Sequence, residues 1–292
     1  MKTLEDFLKL TQNQLFIRLA KKYQKNAIYD QGKYILVKGE APVLLVAHLD
    51  TVHKTAARTI CTSQQGNILM SPQGVGGDDR CGVYALVTLG ETSAVKPWLL
   101  FTCDEEIGGR GAKAFAEDYL DEVLPKELKT MKMIIEIDRK WHQEAVYYNC
   151  GNEEFEDYIS GKGFKTACGS FSDISIIAPA MGIAAVNLSA GYYNAHTLHE
   201  YINKKHLHFT IRKVREIIEE ASKKDFPIFE YVENIWEEQD YYGRIVPWNL
   251  PNKYYEVYDR LLDYFKPQEI DCYRKTYGDS ILKELYAQAI GI

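Results

Sequence analysis

Short apolar runs alternate with amphipathic stretches through the first three-quarters of the 292-residue chain. Residues 3–24 carry Leu4, Phe7, Leu8, Leu15, Phe16 and Leu19 at helical spacing, with a break near Thr11, Gln12 and Asn13. Residues 34–38 and 43–48 read as strands; the second is apolar throughout, the mark of a strand covered on both faces. A turn signal at Gly66 and Asn67 separates two edge strands within 55–70. A glycine loop at 74–77 precedes a buried helix at 80–89. Strand 97–103, helix 111–120, strand 131–138, helices 154–160 and 173–178, strand 183–188 and a long amphipathic helix at 204–222 follow. This alternation predicts an α/β fold: a mostly parallel central sheet with helices on both faces.

The pattern changes after about Asp225. Residues 227–292 are rich in Tyr and Glu and hold two helical stretches, 253–265 and 279–289, with no run of buried strands. The expected division is a main domain, 1–226, and a helical C-terminal extension, 227–292, packed on it. Composition narrows the partners. A net charge of −6 and a pI near 5.7 give no basic surface for nucleic acid or an anionic membrane. No apolar run approaches the ~18–20 residues of a membrane helix, and the N-terminal residues lack an apolar signal core. A cytoplasmic protein is expected. The six cysteines, Cys61, Cys81, Cys103, Cys150, Cys168 and Cys272, form no CxxC pair, so free, buried thiols in a reducing compartment are expected and a disulfide is not.

The chemistry lies where the strands end, the edge at which open α/β sheets bind ligands. Strand 43–48 runs into His48 and Asp50, and the 74–77 loop into Asp78 and Asp79. Strand 97–103 ends in Asp104, Glu105 and Glu106, and strand 131–138 in Asp138. The segment after strand 183–188 carries Tyr192, Tyr193, His196, His199 and Glu200. Three like charges after a buried strand repel one another unless a cation sits among them or a proton is shared. Two histidines with several carboxylates suit a pair of divalent ions, Zn²⁺ first, with Co²⁺ or Mn²⁺ also compatible.

The sequence here resembles the co-catalytic zinc exopeptidases, the superfamily of zinc aminopeptidases, peptidase T-like tripeptidases and zinc carboxypeptidase or deacylase relatives. The resemblance rests on Ala47-His48-Leu49-Asp50-Thr51-Val52-His53, Gly77-Asp78-Asp79-Arg80-Cys81-Gly82, Thr102-Cys103-Asp104-Glu105-Glu106-Ile107-Gly108, Glu136-Ile137-Asp138 and Tyr193-Asn194-Ala195-His196-Thr197-Leu198-His199-Glu200. The motifs stand in the family's order across residues 43–200.

The resemblance implies a zinc peptidase-like catalytic domain with two Zn²⁺. His48, Asp78, Glu106, Asp138 and His196 are the implied ligands, with Asp78 bridging both metals and joined to Asp79 by a cis peptide bond. Asp50 is implied to orient His48, and Glu105 to act as general base toward a hydroxide bridging the metals. Tyr192 and Tyr193 are alternative donors to the oxyanion, Asp104 is structural, and His199 competes with His196. His53, His142, His206 and His208 are expected on the surface or on helices. The implied activity is hydrolysis of peptide bonds in short peptides, as an aminopeptidase. A deacylase acting on N-acyl amino acids and a non-catalytic metal-binding relative are the alternatives. The substrate is a peptide or amino-acyl compound, and the oligomeric state is left open. Only 58 positions separate Asp138 from His196, too few for the lid domain that many relatives insert there, so the layout is that of single-domain aminopeptidases.

Overall fold

The computed structural model describes residues 1–169, 171–232 and 250–290. Two helices open the chain, α1 (Leu4–Leu8) and α2 (Gln12–Lys22). They part where the Thr11 hydroxyl accepts the Gln14 N–H and caps α2. There follow β1 (Ala27–Asp30), β2 (Tyr34–Val37), β3 (Ala41–His48), β4 (Cys61–Thr62), β5 (Ile68–Met70), α3 (Gly77–Thr92), β6 (Pro97–Thr102) and α4 (Arg110–Leu120). Next come β7 (Met133–Arg139), β8 (Glu144–Val146), α5 (Glu153–Gly161), β9 (Lys165–Thr166), α6 (Ile174–Met181), β10 (Ala185–Ser189), β11 (Tyr192–Tyr193), β12 (Tyr201–Asn203) and α7 (Lys204–Ala221). The last described helices are α8 (Tyr255–Leu261), α9 (Pro267–Tyr277) and α10 (Ile281–Ala289).

Eight strands form one sheet in the order β1-β2-β6-β3-β7-β10-β8-β9. Its centre, β6-β3-β7-β10, is parallel, while β2 on one flank and β8 on the other run antiparallel to their inner neighbours. The strand period sorts side chains into two cores. Leu45, Ala47, Leu99, Ile135 and Ile137 face one way, packing with residues of α1, α2, α3 and α7. Leu44, Val46, Leu100 and Ile134 face the other, against α4 and α6. Both faces are thus covered, as the continuous apolar runs predict. Gly66 and Asn67 join β4, at the edge of a second sheet β11-β12-β5-β4, to β5, which is an inner strand there, so one of the two expected edge strands is not an edge.

Five strands absent from the sequence reading, β1, β8, β9, β11 and β12, have only two to four residues each, too few for a period to register. Part of the expected extension is built into the main body. Phe229 is buried in the first core, and the backbone of 229–231 bonds to Lys132, Gly182 and Ala184. Residues 233–249 of the extension lie outside the described part. Helices α8 and α10 fall on the expected stretches, α9 lies between them, and the three share a small core of Leu250, Tyr258, Leu261, Ile270, Leu282 and Leu285.

One expectation is overturned. Cys168 and Cys272, with Cα atoms 5.8 Å apart, form a disulfide that ties the loop after β9 to α9. Their separation of 104 positions gives the sequence no spacing signal; the packing of α9 brings them together. Cys81, Cys103 and Cys150 are buried free thiols, whereas Cys61 is exposed. The bond also removes the cysteine-based ground for a reducing compartment. Among the described residues no helix is long and apolar enough to cross a membrane.

Candidate metal centre

The parallel strands β3, β6 and β7 deliver their C-terminal residues to one edge. His48 ends β3, Glu105 and Glu106 follow β6, Asp138 lies at the end of β7, and His196 comes from the loop between β11 and β12. Asp78 reaches the same place from the first turn of α3, and its peptide bond to Asp79 is cis.

Asp78 is the centre of the arrangement. Its Oδ1 lies 3.1 Å from His48 Nε2 and its Oδ2 3.1 Å from His196 Nε2. Asp138 Oδ1 stands 3.4 Å from His48 Nε2, and Glu106 Oε1 3.3 Å from His196 Nε2. Two triads of donor atoms result, His48–Asp78–Asp138 and Asp78–Glu106–His196, joined by the two oxygens of Asp78. A third grouping, His48–Glu105–Glu106, places Glu105 beside them. The residues fit a pair of cations: Glu106 Oε1 is buried and accepts no hydrogen bond, and two imidazole nitrogens point at carboxylates. His199 is exposed and belongs to neither triad.

Asp50 has a connecting role. Its Oδ1 lies 3.1 Å from His48 Nδ1, and its carboxylate accepts the N–H groups of Glu105 at 3.1 Å and Glu106 at 3.0 Å. One side chain thus orients the histidine and fixes the backbone that presents both glutamates. Burial opposes its charge, but the His48 ring and these two N–H groups outweigh it and hold the carboxyl below its usual pKa.

Glu200, noted in the sequence only as a residue of the last motif, is fully buried. It accepts the N–H groups of Gly76 at 2.9 Å and Asp78 at 3.0 Å, and it lies 3.0 Å from His53 Nε2. It therefore fixes the backbone that aims Asp78. His53 is not a surface residue: its ring packs between Gly74 and Glu200, which corrects the expectation. Arg80 was also missed. Its guanidinium, fully buried, donates to the carbonyls of Leu49 (2.5 Å), Asp50 (2.9 Å) and Leu10 (3.1 Å), pinning the turn after β3. The only signal was its place directly after two aspartates. Asp104 is structural as expected, exchanging hydrogen bonds with the Gln12 amide. The tyrosines depart from expectation. The Tyr192 hydroxyl donates to the Asp138 carbonyl at 2.5 Å and lies 3.1 Å from Asp138 Oδ1, while the Tyr193 hydroxyl pairs with His206 Nδ1 at 2.7 Å. The Tyr192 proton is thus already engaged by Asp138. Below the centre, Ser172 donates to Glu136, Thr102 to Asp173, and Asn187 Oδ1 accepts the Asp138 N–H at 2.8 Å.

Among the protein's own groups the electrostatics are severe. Burial raises the Glu105 pKa to about 9; His48 opposes this, while Asp138, Asp173 and Glu106 add to it. Burial and then Asp78 lift Asp138 to about 7. The Asp78 carboxylate first, and then that of Glu106, raise His196 to about 10. Asp78 is driven the other way: burial opposes its charge, but His196 and His48 overcome it and hold the carboxyl well below its usual value. The signs fix a pH dependence for chelator-stripped protein. His196 is raised, so its pairing stabilises fully below the ordinary imidazole pKa of ~6.5 and is lost as pH rises through about 10. Asp78 is depressed, so its pairing is present above ~3.9 and is lost as pH falls through its folded value. Thermal unfolding in EDTA is expected to show its highest midpoint between roughly pH 4 and 7. A midpoint that climbs steadily from pH 6 to 10 would contradict these pairings.

The ligand assignment of His196 has its own test. His196→Ala is expected to lower metal content by about one ion per chain, and His199→Ala to leave it unchanged, by elemental analysis after gel filtration. The reverse ranking moves the ligand to His199.

The centre lines a cavity of about 380 Å³ bounded by Asp78, Glu105, Glu106, Asp138, Tyr148 and Phe171, among others. No family profile matches the chain, and no curated protein does. Solved structures do. Aminopeptidase PepT from Bacillus cereus is 16% identical, with a TM-score of 0.55 over 75% of this chain and 97% of that one. A tripeptidase from Staphylococcus aureus gives 15% and 0.56 over the same shares, 75% and 97%. The TET1 peptidase of Pyrococcus horikoshii, which assembles into a tetrahedron or an octahedral shell, gives 13% and 0.52 over 74% and 98%. At such identities the likeness is one of fold. The described residues between Asp138 and His196 stay within the sheet and its helices. The chain has the α/β fold of these peptidases, and among the described residues no separate domain is inserted between Asp138 and His196.

Proposed function

We propose that the chain is a di-zinc aminopeptidase acting on short peptides. The observation that carries this reading is the division of Asp78: one oxygen belongs to the His48–Asp138 triad and the other to the Glu106–His196 triad. A carboxylate so placed joins two cation sites, the arrangement of two-metal hydrolases. When bound, the two cations supply Lewis-acid charge that acidifies water and polarises a carbonyl. His48, Asp78 and Asp138 would hold one, and Asp78, Glu106 and His196 the other.

Glu105 does the proton work. It lines the cavity, its backbone is fixed by Asp50, and burial among acids gives its carboxyl a strong hold on a proton. A positive centre beside it lowers that hold toward the range a general base needs. Glu105 takes a proton from the attacking water and returns it to the leaving amine. Asp50 keeps His48 in one orientation during this, and Glu200 keeps Asp78 there. The cavity volume is at the low end for small-ligand sites, which suits a short substrate.

The test is a screen of zinc-reconstituted and chelated protein over amino-acyl amides, di- and tripeptides and N-acyl amino acids. Zinc-dependent release of N-terminal residues is expected. Turnover confined to N-acyl amino acids replaces the aminopeptidase with a deacylase, and inactivity on all of them with two ions bound leaves a metal-binding protein.

A further inference from the structure

The cavity over the metal centre has a wall that the hydrolytic scheme does not use. Arg139 and Lys140, the residues directly after Asp138, line it together with the acids. Their surroundings differ. Arg139 Nε donates to Glu144 Oε2 at 2.9 Å, so its charge is matched within the protein. Lys140 Nζ sits 4.6 Å from the centroid of the Trp141 ring and, among the described residues, makes no ion pair. Yet Asp78, Glu105, Glu106 and Asp138 line the same cavity. The ammonium makes no direct ion pair with them, although Glu144 and Asp78 act on it at longer range.

The turn that carries it is fixed. The Trp141 N–H donates to the Tyr192 carbonyl at 2.7 Å, and the Trp141 ring lies under both cations, 5.2 Å from the Arg139 guanidinium carbon. A ring contact attracts an ammonium but accepts none of its three N–H donors in the way an anion does. Lys140 is only half-exposed, so water replaces that anion incompletely. A compact positive charge on a turn that lines a substrate-sized cavity, with no carboxylate directly paired to it among the described residues, is a subsite for an anion.

We propose that Lys140 binds a carboxylate of the substrate beyond the scissile amide. The proposal rests on the peptidase reading of the same cavity. An extended peptide advances about 3.3–3.6 Å per residue, so a cation on the wall of a cavity of about 380 Å³ meets a group one or two residues past the amide. Two sources carry that group there: the terminal carboxylate of a di- or tripeptide, or an acidic side chain. Arg139 supplies a second positive charge at the rim, tempered by Glu144. Lys140 then measures substrate length or sequence.

Binding, read without turnover, tests this. Zinc-loaded Glu105→Gln protein is titrated calorimetrically with trialanine, with trialanine amide, and with the amide of a tripeptide carrying Asp in second place. Trialanine is expected to bind about tenfold tighter than its amide. Lys140→Met in the same background is expected to erase the ratio by weakening trialanine, and Lys140→Arg to restore most of it. If only trialanine gains over its amide, the terminal carboxylate is the source; if only the Asp-bearing amide gains, the side chain is; if both gain, either carboxylate fills the subsite. Equal affinity for all three ligands with Lys140 intact, a gain that survives Lys140→Met, or no binding of any of the three overturns the proposal. The peptidase reading fails separately, by loss of zinc-dependent hydrolysis in the screen above; hydrolysis of amides and free peptides alike sinks the Lys140 subsite alone.

Discussion

Glu105→Gln is expected to lower kcat by about 10³-fold, within the 10²–10⁴ range for a positioned general base, while the protein keeps both metal ions. A thousandfold loss corresponds to about 4 kcal/mol of barrier. The amide keeps the shape and the backbone N–H that Asp50 accepts, so local geometry should survive. What it loses is the capacity to take a proton. Glu105 belongs to neither of the two triads that share Asp78, which is why metal content should stay near two ions per chain by elemental analysis. Loss of an ion together with activity would show that base and ligand had been exchanged between Glu105 and Glu106. Full activity in the variant would remove Glu105 from the chemistry.

Asp78→Ala is expected to empty both sites, where His196→Ala empties one. The reason is geometric: each oxygen of Asp78 faces a different histidine nitrogen at 3.1 Å. Metal content should fall from about two ions per chain to well under one, with activity lost in proportion. The fold should persist in circular dichroism, because Asp50 and Asp138 still flank the buried His48. A modest loss of stability, about 1–2 kcal/mol, is expected from the abandoned partners, His48 above all. Retention of one tightly bound ion would mean that the two triads do not share this carboxylate.

Much of this centre was legible in the chain. The continuous apolar runs at 43–48, 97–103 and 131–138 could only be strands covered on both faces, and they are β3, β6 and β7 side by side. A polar ligand at the end of each such strand must reach the same edge when the strands are parallel. That logic brought His48, Glu106 and Asp138 together before any coordinates did. Other parts had no local signal. Glu200 works through N–H groups more than 120 positions away, and Arg80 through the carbonyls of a turn thirty positions back. The Tyr192 hydroxyl gave no hint in the sequence of its bond to Asp138, 54 positions away.

The sequence by itself determined which residue types stand at the strand ends and in what order, because periodicity and strand length are local properties of the chain. It thereby specified an α/β sheet and a cluster of two histidines with several carboxylates. Only the tertiary structure decided how those groups divide: Asp78 facing two histidines at once, Asp50 serving both His48 and the glutamate backbone, and Lys140 lining the same cavity. It also decided the Cys168–Cys272 link across 104 positions. These are matters of direction and distance between segments remote in sequence. They follow from how helices and strands pack, which no single stretch of the chain encodes.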